Sequence, residues 1–324
     1  MAEQSFQDTI SSLAFSYKTM REEIGELVVG NRPLTELAIV AILSGGHILL
    51  EGPPGTAKTI IAKALAQLSG CAFRRVQCAV DVQPADIIGI RIFDTMTKEF
   101  VLKPGPIFSN VILIDEINRL PPKTQSGFIE AMSEGQATID GNTMPLPRPF
   151  FVIATQNPYE FEGTFPLIEA EKDRFMLSAR LEHLTRDEEL EIIKRENAGT
   201  LEWAWFERRL DPLLDPGRIA AAMETVAKVQ CERPVLEYIR DLVVATREHT
   251  DVRLGASARA SIALVRSSKA RALLEGRTYV IPDDVKRNLQ PVLQHRLLLS
   301  REAEIAGVTP AQVVREIGES VEVS

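Results

Sequence analysis

The chain has 324 residues, enough for two domains at roughly 150 residues each. Hydrophobic residues make up 45% of it, so it can bury a sizeable core, and a disordered chain is excluded. Its formal net charge of −8 argues against holding nucleic acid or an anionic membrane surface by bulk charge.

Residues 1–27 place apolar Phe6, Ile10, Leu13, Tyr17 and Ile24 near helical spacing. They show no basic segment followed by an apolar core, so no signal peptide is expected and the chain reads as soluble and cytoplasmic. Pro33 to Leu43 predicts a second helix with Pro33 in its first turn. Its apolar run, Leu37–Leu43, is too short to span a bilayer. After the Gly45-Gly46 break, His47–Glu51 predicts a buried strand that runs into GPPGTAKT and a helix over Ile60–Leu68. Phe73–Cys78 predicts another strand. Its Arg74 and Arg75, with Lys269, Arg271 and Arg277 further on, are too sparse to mark a nucleic-acid groove. Between Asp86 and Pro106, two β-prone runs flank a polar turn near Thr97-Lys98 and predict a hairpin. Val111–Asp115 (VILID) predicts a buried strand and Lys123–Glu134 a helix. Gln136–Pro145 predicts a second hairpin, because Asp140-Gly141 suits a tight primed turn. Phe150–Thr155 and Met176–Leu181 predict further strands.

Beyond Leu181 the pattern is helical: Arg186–Glu196, Pro216–Val229, Pro234–Thr250, Ala256–Leu274, Pro282–Leu299 and Thr309–Ser320. Thr185 ahead of Glu188, and Thr309 ahead of Pro310, supply start signals. The expected architecture is an α/β nucleotide-binding domain over 1–182, followed by a smaller all-α lid over 183–324. Cys71, Cys78 and Cys231 fit no zinc or disulfide spacing and read as reduced thiols.

Gly52-Pro53-Pro54-Gly55-Thr56-Ala57-Lys58-Thr59 follows the pattern G-x-x-x-x-G-K-[ST] except at Ala57. Such a loop curls so that successive backbone N–H groups point at phosphate oxygens. The helix that follows, beginning near Ile60, adds its positive end. Lys58 is expected to reach the β/γ-phosphates and the Thr59 hydroxyl to ligate magnesium, so ATP or ADP with Mg²⁺ is the expected cofactor. Alanine in place of glycine at position 57 requires a helical, negative φ there.

Asp115 ends an apolar strand about 55 residues after the loop, where such enzymes hold magnesium through its water shell. Glu116 follows it as a candidate general base. Asn157, after the next strand, offers a neutral amide that could orient a water beside Glu116 and sense the γ-phosphate.

GPPGTAKT, VILIDEINRLPPKTQSGFIEAMSEGQ, FFVIATQNPYEFEGTFPLIEAEKDRF and LGASARA together resemble the MoxR family of AAA+ ATPases. The likeness runs from Val28-Val29-Gly30 to the C-terminal TPAQVVREI. It implies that Val28, Val29 and Gly30 line the adenine pocket and that Asn157 is the sensor-1 residue. It implies that Arg174 is the arginine finger serving a neighbour's ATP and that Arg259 is the sensor-2 arginine of the lid. The two hairpins match the helix-2 and pre-sensor inserts, which face a central pore. Lys172 and Ala258 depart from the family pattern, which has an apolar residue and a proline there. The resemblance does not decide whether Arg259 serves its own subunit's nucleotide or a neighbour's. It implies a ring, expected to be a hexamer, that remodels a protein client, and a partner carrying a von Willebrand factor A domain. Two other readings stay open beside it: a nucleic-acid motor, against which the acidic charge counts, and a nucleotide-gated binding module with little turnover.

Overall fold

The computed structural model describes residues 2–53, 55–158 and 163–323. The N-terminal periodicity gives one long helix, α1 (Ala2–Leu27), with Ile10, Tyr17, Met20 and Ile24 buried along one face. The chain continues through α2 (Arg32–Leu43), β1 (Ile48–Glu51), α3 (Lys58–Leu68), β2 (Phe73–Gln77), α4 (Pro84–Ile88), β3 (Gly89–Asp94), β4 (Glu99–Pro104) and β5 (Val111–Asp115). Then follow α5 (Pro122–Glu134), β6 (Gln136–Ile139), β7 (Asn142–Pro145), β8 (Phe151–Gln156), α6 (Glu169–Lys172) and β9 (Leu177–Arg180).

Five strands form a parallel sheet in the order β2-β5-β8-β1-β9. Its faces separate two apolar clusters. Val111, Leu113, Phe151 and Ile153 pack with α1, α2 and α3, while Ile112, Ile114, Val152 and Ala154 pack with α5 on the other side. A strand covered on both faces needs apolar side chains at every position, which is why VILID carries no alternation. Both expected hairpins form. The turn at Asp140 (φ 49°) and Gly141 (φ 80°) is left-handed at both residues, as a two-residue primed turn requires. The β3–β4 hairpin leaves Ile90, Ile92, Phe93, Met96, Phe100 and Val101 exposed.

The C-terminal part contains α7 (Arg186–Asn197), α8 (Trp203–Glu207), α9 (Pro216–Lys228), α10 (Arg233–Glu248), α11 (Ala258–Leu274), α12 (Pro282–Leu293), α13 (Arg301–Ile305) and α14 (Pro310–Ser320). It is not purely helical. The expected helix over Pro282–Leu299 stops at Leu293, and a 3-10 turn over Gln294–Arg296 redirects the chain. Leu298–Leu299 then pairs as strand β11 with β10 (Val252–Leu254), which follows α10 and lies just beyond the expected Pro234–Thr250 helix. The break coincides with bonds across the fold: the buried Arg296 guanidinium donates to the Phe175 and Met176 carbonyls as well as to Val292 of α12 (described below).

The apolar cluster does not stop at residue 182. Helix α1 packs against α11 as well as α3, and α2 packs against α9 and α11. Polar ties reinforce this. Arg271 on α11 pairs with Glu36 on α2 and donates to the Asn288 side chain of α12. Arg195 on α7 donates to the Glu26 and Leu27 carbonyls (2.9 and 3.0 Å), the free C-terminal end of α1. Among the described residues no helix is long and apolar enough to cross a membrane.

His47, just before β1, is buried between two backbone groups. Its Nδ1 accepts from the Val152 amide at 3.1 Å, so its Nε2 donates to the Met132 carbonyl at 3.1 Å. Burial lowers its pKa to about 4, outweighing the Met132 bond. The folded ring therefore stays neutral where the unfolded ring, near 6.5, takes a proton. Stability is complete above the unfolded value and falls as the pH drops from about 6.5 to 4, by at most about 3 kcal/mol from this residue. We expect the thermal midpoint to fall between pH 7.5 and 4.5, and a His47→Gln variant to show a smaller fall from its own starting value. Equal falls in calorimetric scans of both proteins would remove His47 as a source.

Candidate functional site

The loop after β1 closes back over the sheet. Gly52 lies against the end of β9, where a Cβ would stand 2.6 Å from the Leu181 carbonyl oxygen, so no larger residue fits without displacing backbone. Gly55 (φ 82°) and Ala57 (φ 60°) are both left-handed. Ala57 therefore departs from the negative φ expected of it. Alternating handedness turns successive amides toward one point and makes an anion-binding concavity, and that need overrides the side chain. Holding alanine there costs about 1–2 kcal/mol. Pro54 lies outside the described residues. Helix α3 starts at Lys58, directly behind this turn.

Lys58 lies half-buried, its ammonium donating to the Gly52 carbonyl at 2.9 Å. Burial lowers its pKa, and the neighbouring Asp115 and Glu116 carboxylates pull it back up. The Thr59 hydroxyl has no hydrogen-bond partner among the described residues. A cavity of about 410 Å³ collects Gly52, Gly55, Thr56, Ala57, Lys58, Thr59, Ile60, Asp115, Glu116 and Asn157, with Ile192 and Leu201 also on its wall. Hollows of about 740 and 1130 Å³ lie elsewhere, against α1, and include none of the loop residues.

The strand order brings in residues that the sequence reading passed over. Because β2 lies beside β5, Arg75 reaches Asp115 Oδ2 from Nε and Nη2 at 2.9 and 2.7 Å. Because β8 lies on the other side of β5, Thr155 donates to Asp115 Oδ1 at 2.9 Å and accepts from the Glu116 amide at 3.0 Å. Thr155 thus fixes the Asp115 carboxylate relative to the Glu116 backbone. Glu116 itself is left-handed (φ 59°). Its carboxylate pairs with Arg119 at 2.9 Å and accepts from Gln77 at 3.3 Å. Both acids are therefore held by cations or amides of their own chain. The pattern signal that could have found Arg75 and Gln77 is alternation along FRRVQ: both side chains leave β2 on the same side.

Other expected residues are placed apart from this cavity. Val28 and Val29 do not line it. Gly30 abuts α7, a Cβ there falling 2.7 Å from Glu188 Oε1. Arg174 and Arg259 are also absent from the cavity wall. They are linked instead through Asp173: Arg259 Nη1 donates to Asp173 Oδ2 at 3.3 Å, and Arg174 is the next residue in the chain. Burial pushes the Cys78 thiol up to about 12 and Cys71 up to about 11, so both are protonated and unreactive at neutral pH. Trp203 and Trp205 pack against the main apolar cluster, with Arg209 stacked 3.5 Å over Trp205.

A parallel sheet with a phosphate loop after its first strand and an acidic pair at the end of a neighbouring strand defines a nucleotide-binding protein of the AAA class. Residues 47–177 match the ATPase family associated with various cellular activities (AAA), and residues 244–317 match the AAA lid domain. The chain is 37% identical to Chaperone MoxR1 of Mycobacterium tuberculosis, over 92% of this chain and 80% of that protein. It is 43% identical to the uncharacterized protein YeaC of Bacillus subtilis, over 93% of both. A crystal structure from Cytophaga hutchinsonii superposes with a TM-score of 0.91 at 37% identity, covering 100% of this chain and 99% of the other. The chain belongs to the MoxR family of AAA+ ATPases.

Proposed function

We propose that this protein is a magnesium-dependent ATPase that works as a cytoplasmic ring, expected to be a hexamer, and remodels, activates or matures protein partners. The observation that carries this reading is the division of the site: Lys58, Thr59, Asp115, Glu116 and Asn157 share one cavity, while Arg174 and Arg259 are absent from its wall and are linked through Asp173, one as its neighbour in the chain and one by a bond to its carboxylate. Such a site is complete only when a second copy supplies its arginines, and a head-to-tail contact that repeats closes into a ring.

The residues fit the cofactor. The loop amides and Lys58 take the phosphates, and Val28, Val29 and Gly30, which are off the wall of the cavity, are assigned to the adenine side by the family resemblance alone. The free Thr59 hydroxyl and the Asp115 carboxylate are hard oxygen donors suited to magnesium. When bound, magnesium neutralises charge on the β- and γ-oxygens. Arg75 must give up Asp115 for this. Glu116, released from Arg119 and Gln77, takes a proton from the attacking water, and Asn157 orients that water. Arg174 of a neighbour stabilises charge on the transferring phosphoryl group, and Arg259 joins it from the same side. The reading takes 1–182 as the nucleotide domain and 183–324 as the moving lid. The exposed apolar β3–β4 hairpin suits contact with a protein client, and the acidic net charge disfavours a nucleic-acid track. A von Willebrand factor A domain protein is the proposed partner.

The test is a mixing experiment. Arg174→Ala should bind ATP normally and lose at least tenfold in phosphate release, since a positioned arginine contributes about 10³–10⁵ in rate. Mixed with Glu116→Gln, itself inactive, it should regain activity, because mixed interfaces pair an intact base with an intact finger. Two inactive variants that stay inactive together would count against a shared site.

A further inference from the structure

One lid residue is bonded to the arginine-bearing segment more heavily than lid packing requires. Arg296 lies in the 3-10 turn after α12, its side chain only 2% exposed. Nε donates to Asp173 Oδ1 at 2.9 Å. One Nη2 bond goes to the Asp173 carbonyl at 3.2 Å and another to the Phe175 carbonyl at 2.6 Å. Nη1 donates to the Met176 carbonyl at 3.1 Å and to the Val292 carbonyl of α12. A guanidinium has five N–H donors. All are used here, and all but the Val292 bond go to residues 173–176. The preceding residue, His295, also bonds the Phe175 carbonyl through Nε2 at 3.0 Å.

This grip brackets Arg174. The residues on either side of it are pinned through their carbonyls, so its backbone direction is set by the lid. The same Asp173 carboxylate accepts from the Ser257 hydroxyl at 3.1 and 2.9 Å and from Arg259 at 3.3 Å. Ser257 also caps α11, accepting from the Arg259 amide at 3.1 Å. Asp173 thus receives Arg296 on one oxygen and Arg259 on the other, with Arg174 following in the chain. A buried charge in one geometry, with every donor satisfied, forms a stiff unit, and a fork of this shape cannot be replaced by the point charge of lysine.

We propose that Arg296 is a positioning residue that fixes Arg174 and Arg259 as one rigid pair, so that the lid of a subunit sets the arginines it presents to its neighbour's nucleotide. The proposal rests on the reading of Arg174 as a finger acting between subunits. Arg296 touches no nucleotide itself. It acts through Asp173, and a displacement of about 1 Å at the finger is enough to cost roughly 10²-fold in rate.

The test uses the full-length chain with Arg296→Lys. Binding of a fluorescent ATP analogue should stay within about twofold of wild type, because the phosphate loop is untouched, and kcat should fall at least tenfold. Mixing with Glu116→Gln should restore turnover, since the Glu116→Gln subunit still offers an intact finger. Mixing with Arg174→Ala should restore nothing, since neither subunit then offers one. A purely structural role would show no such partner dependence. Wild-type kcat in Arg296→Lys, or a loss that Glu116→Gln does not rescue while the Arg174→Ala with Glu116→Gln control does recover, overturns the proposal. A failure of that control overturns the finger reading instead. Should Arg296→Lys not fold, Asp173→Asn, which keeps the shape and removes the charge shared by Arg296 and Arg259, goes through the same mixtures. The same rescue pattern supports the proposal, and wild-type turnover overturns it.

Discussion

Lys58→Ala should lose nucleotide binding while leaving the fold in place. Among the described residues the side chain bonds the Gly52 carbonyl, and it lies half-buried on the wall of the cavity rather than in the core. Its removal therefore costs little stability, and the thermal midpoint should move by no more than a few degrees. Its effect on ATP is large for two reasons. The loop amides are dipoles, and Lys58 supplies the full positive charge beside them. Asp115 and Glu116 stand close enough to act on its ionisation, so without it their negative charge faces the phosphates with less compensation. Each charge-assisted hydrogen bond contributes about 1.5–3 kcal/mol, so bonds to two phosphates together make a loss of two to four decades in affinity the expected order. Titration of a fluorescent ATP analogue measures it. Affinity within a few-fold of wild type would remove Lys58, and with it the loop, from the binding site.

The second large effect is Glu116→Gln. The amide has the shape of the carboxylate but cannot take a proton from water, and general-base catalysis is worth about 10²–10⁴ in rate. Binding should be kept or strengthened, because a negative charge near the γ-phosphate is gone. The variant should accumulate ATP-bound rings with phosphate release near background, and an affinity pull-down from the source lysate should then retain the protein partners of the ATP state. Normal steady-state phosphate release would exclude Glu116 as the base. A wild-type rate no higher than that of Glu116→Gln would favour a binding module over an enzyme. Phosphate release that rises strongly with added nucleic acid, and falls again with salt, would favour a motor on that track.

How much of this was legible in the sequence depended on whether the deciding contact was local. GPPGTAKT and VILID are contiguous runs whose chemistry follows from their order, and the folded chain brings their residues into one cavity. Asp140-Gly141 states its own turn. Arg75 and Gln77 were not legible as site residues, because their importance comes from the place of β2 beside β5, strands separated by a helix and a hairpin in the chain. Thr155 stood in a recognised run, but its bridging of Asp115 and Glu116 depends on the same sheet order. Ala57 departs from its expected negative φ because the loop's need to aim its amides, not the preference of alanine, sets the backbone there. The helix over Pro282–Leu299 was overextended because LQPVLQHRLLL keeps a helical apolar spacing through the break. The bonds from Arg296 to the distant Phe175 and Met176 carbonyls lie at that break and leave no trace in the local pattern.

The packing of α1 and α2 against α11 limits how this molecule can move. Uncovering apolar surface costs about 25 cal/mol per Å², so each 100 Å² exposed between these helices would cost about 2.5 kcal/mol. Separating the buried Arg271 from its partly exposed partner Glu36 would add the penalty of an unpaired charge. A hinge that swung the C-terminal helices away from the N-terminal ones would incur both costs. A shear, in which packed helices slide by small amounts and keep the seam covered, avoids them. In the proposed cycle the first two helices, packed both on the sheet side and on α11, are the layer across which such small slides would be distributed.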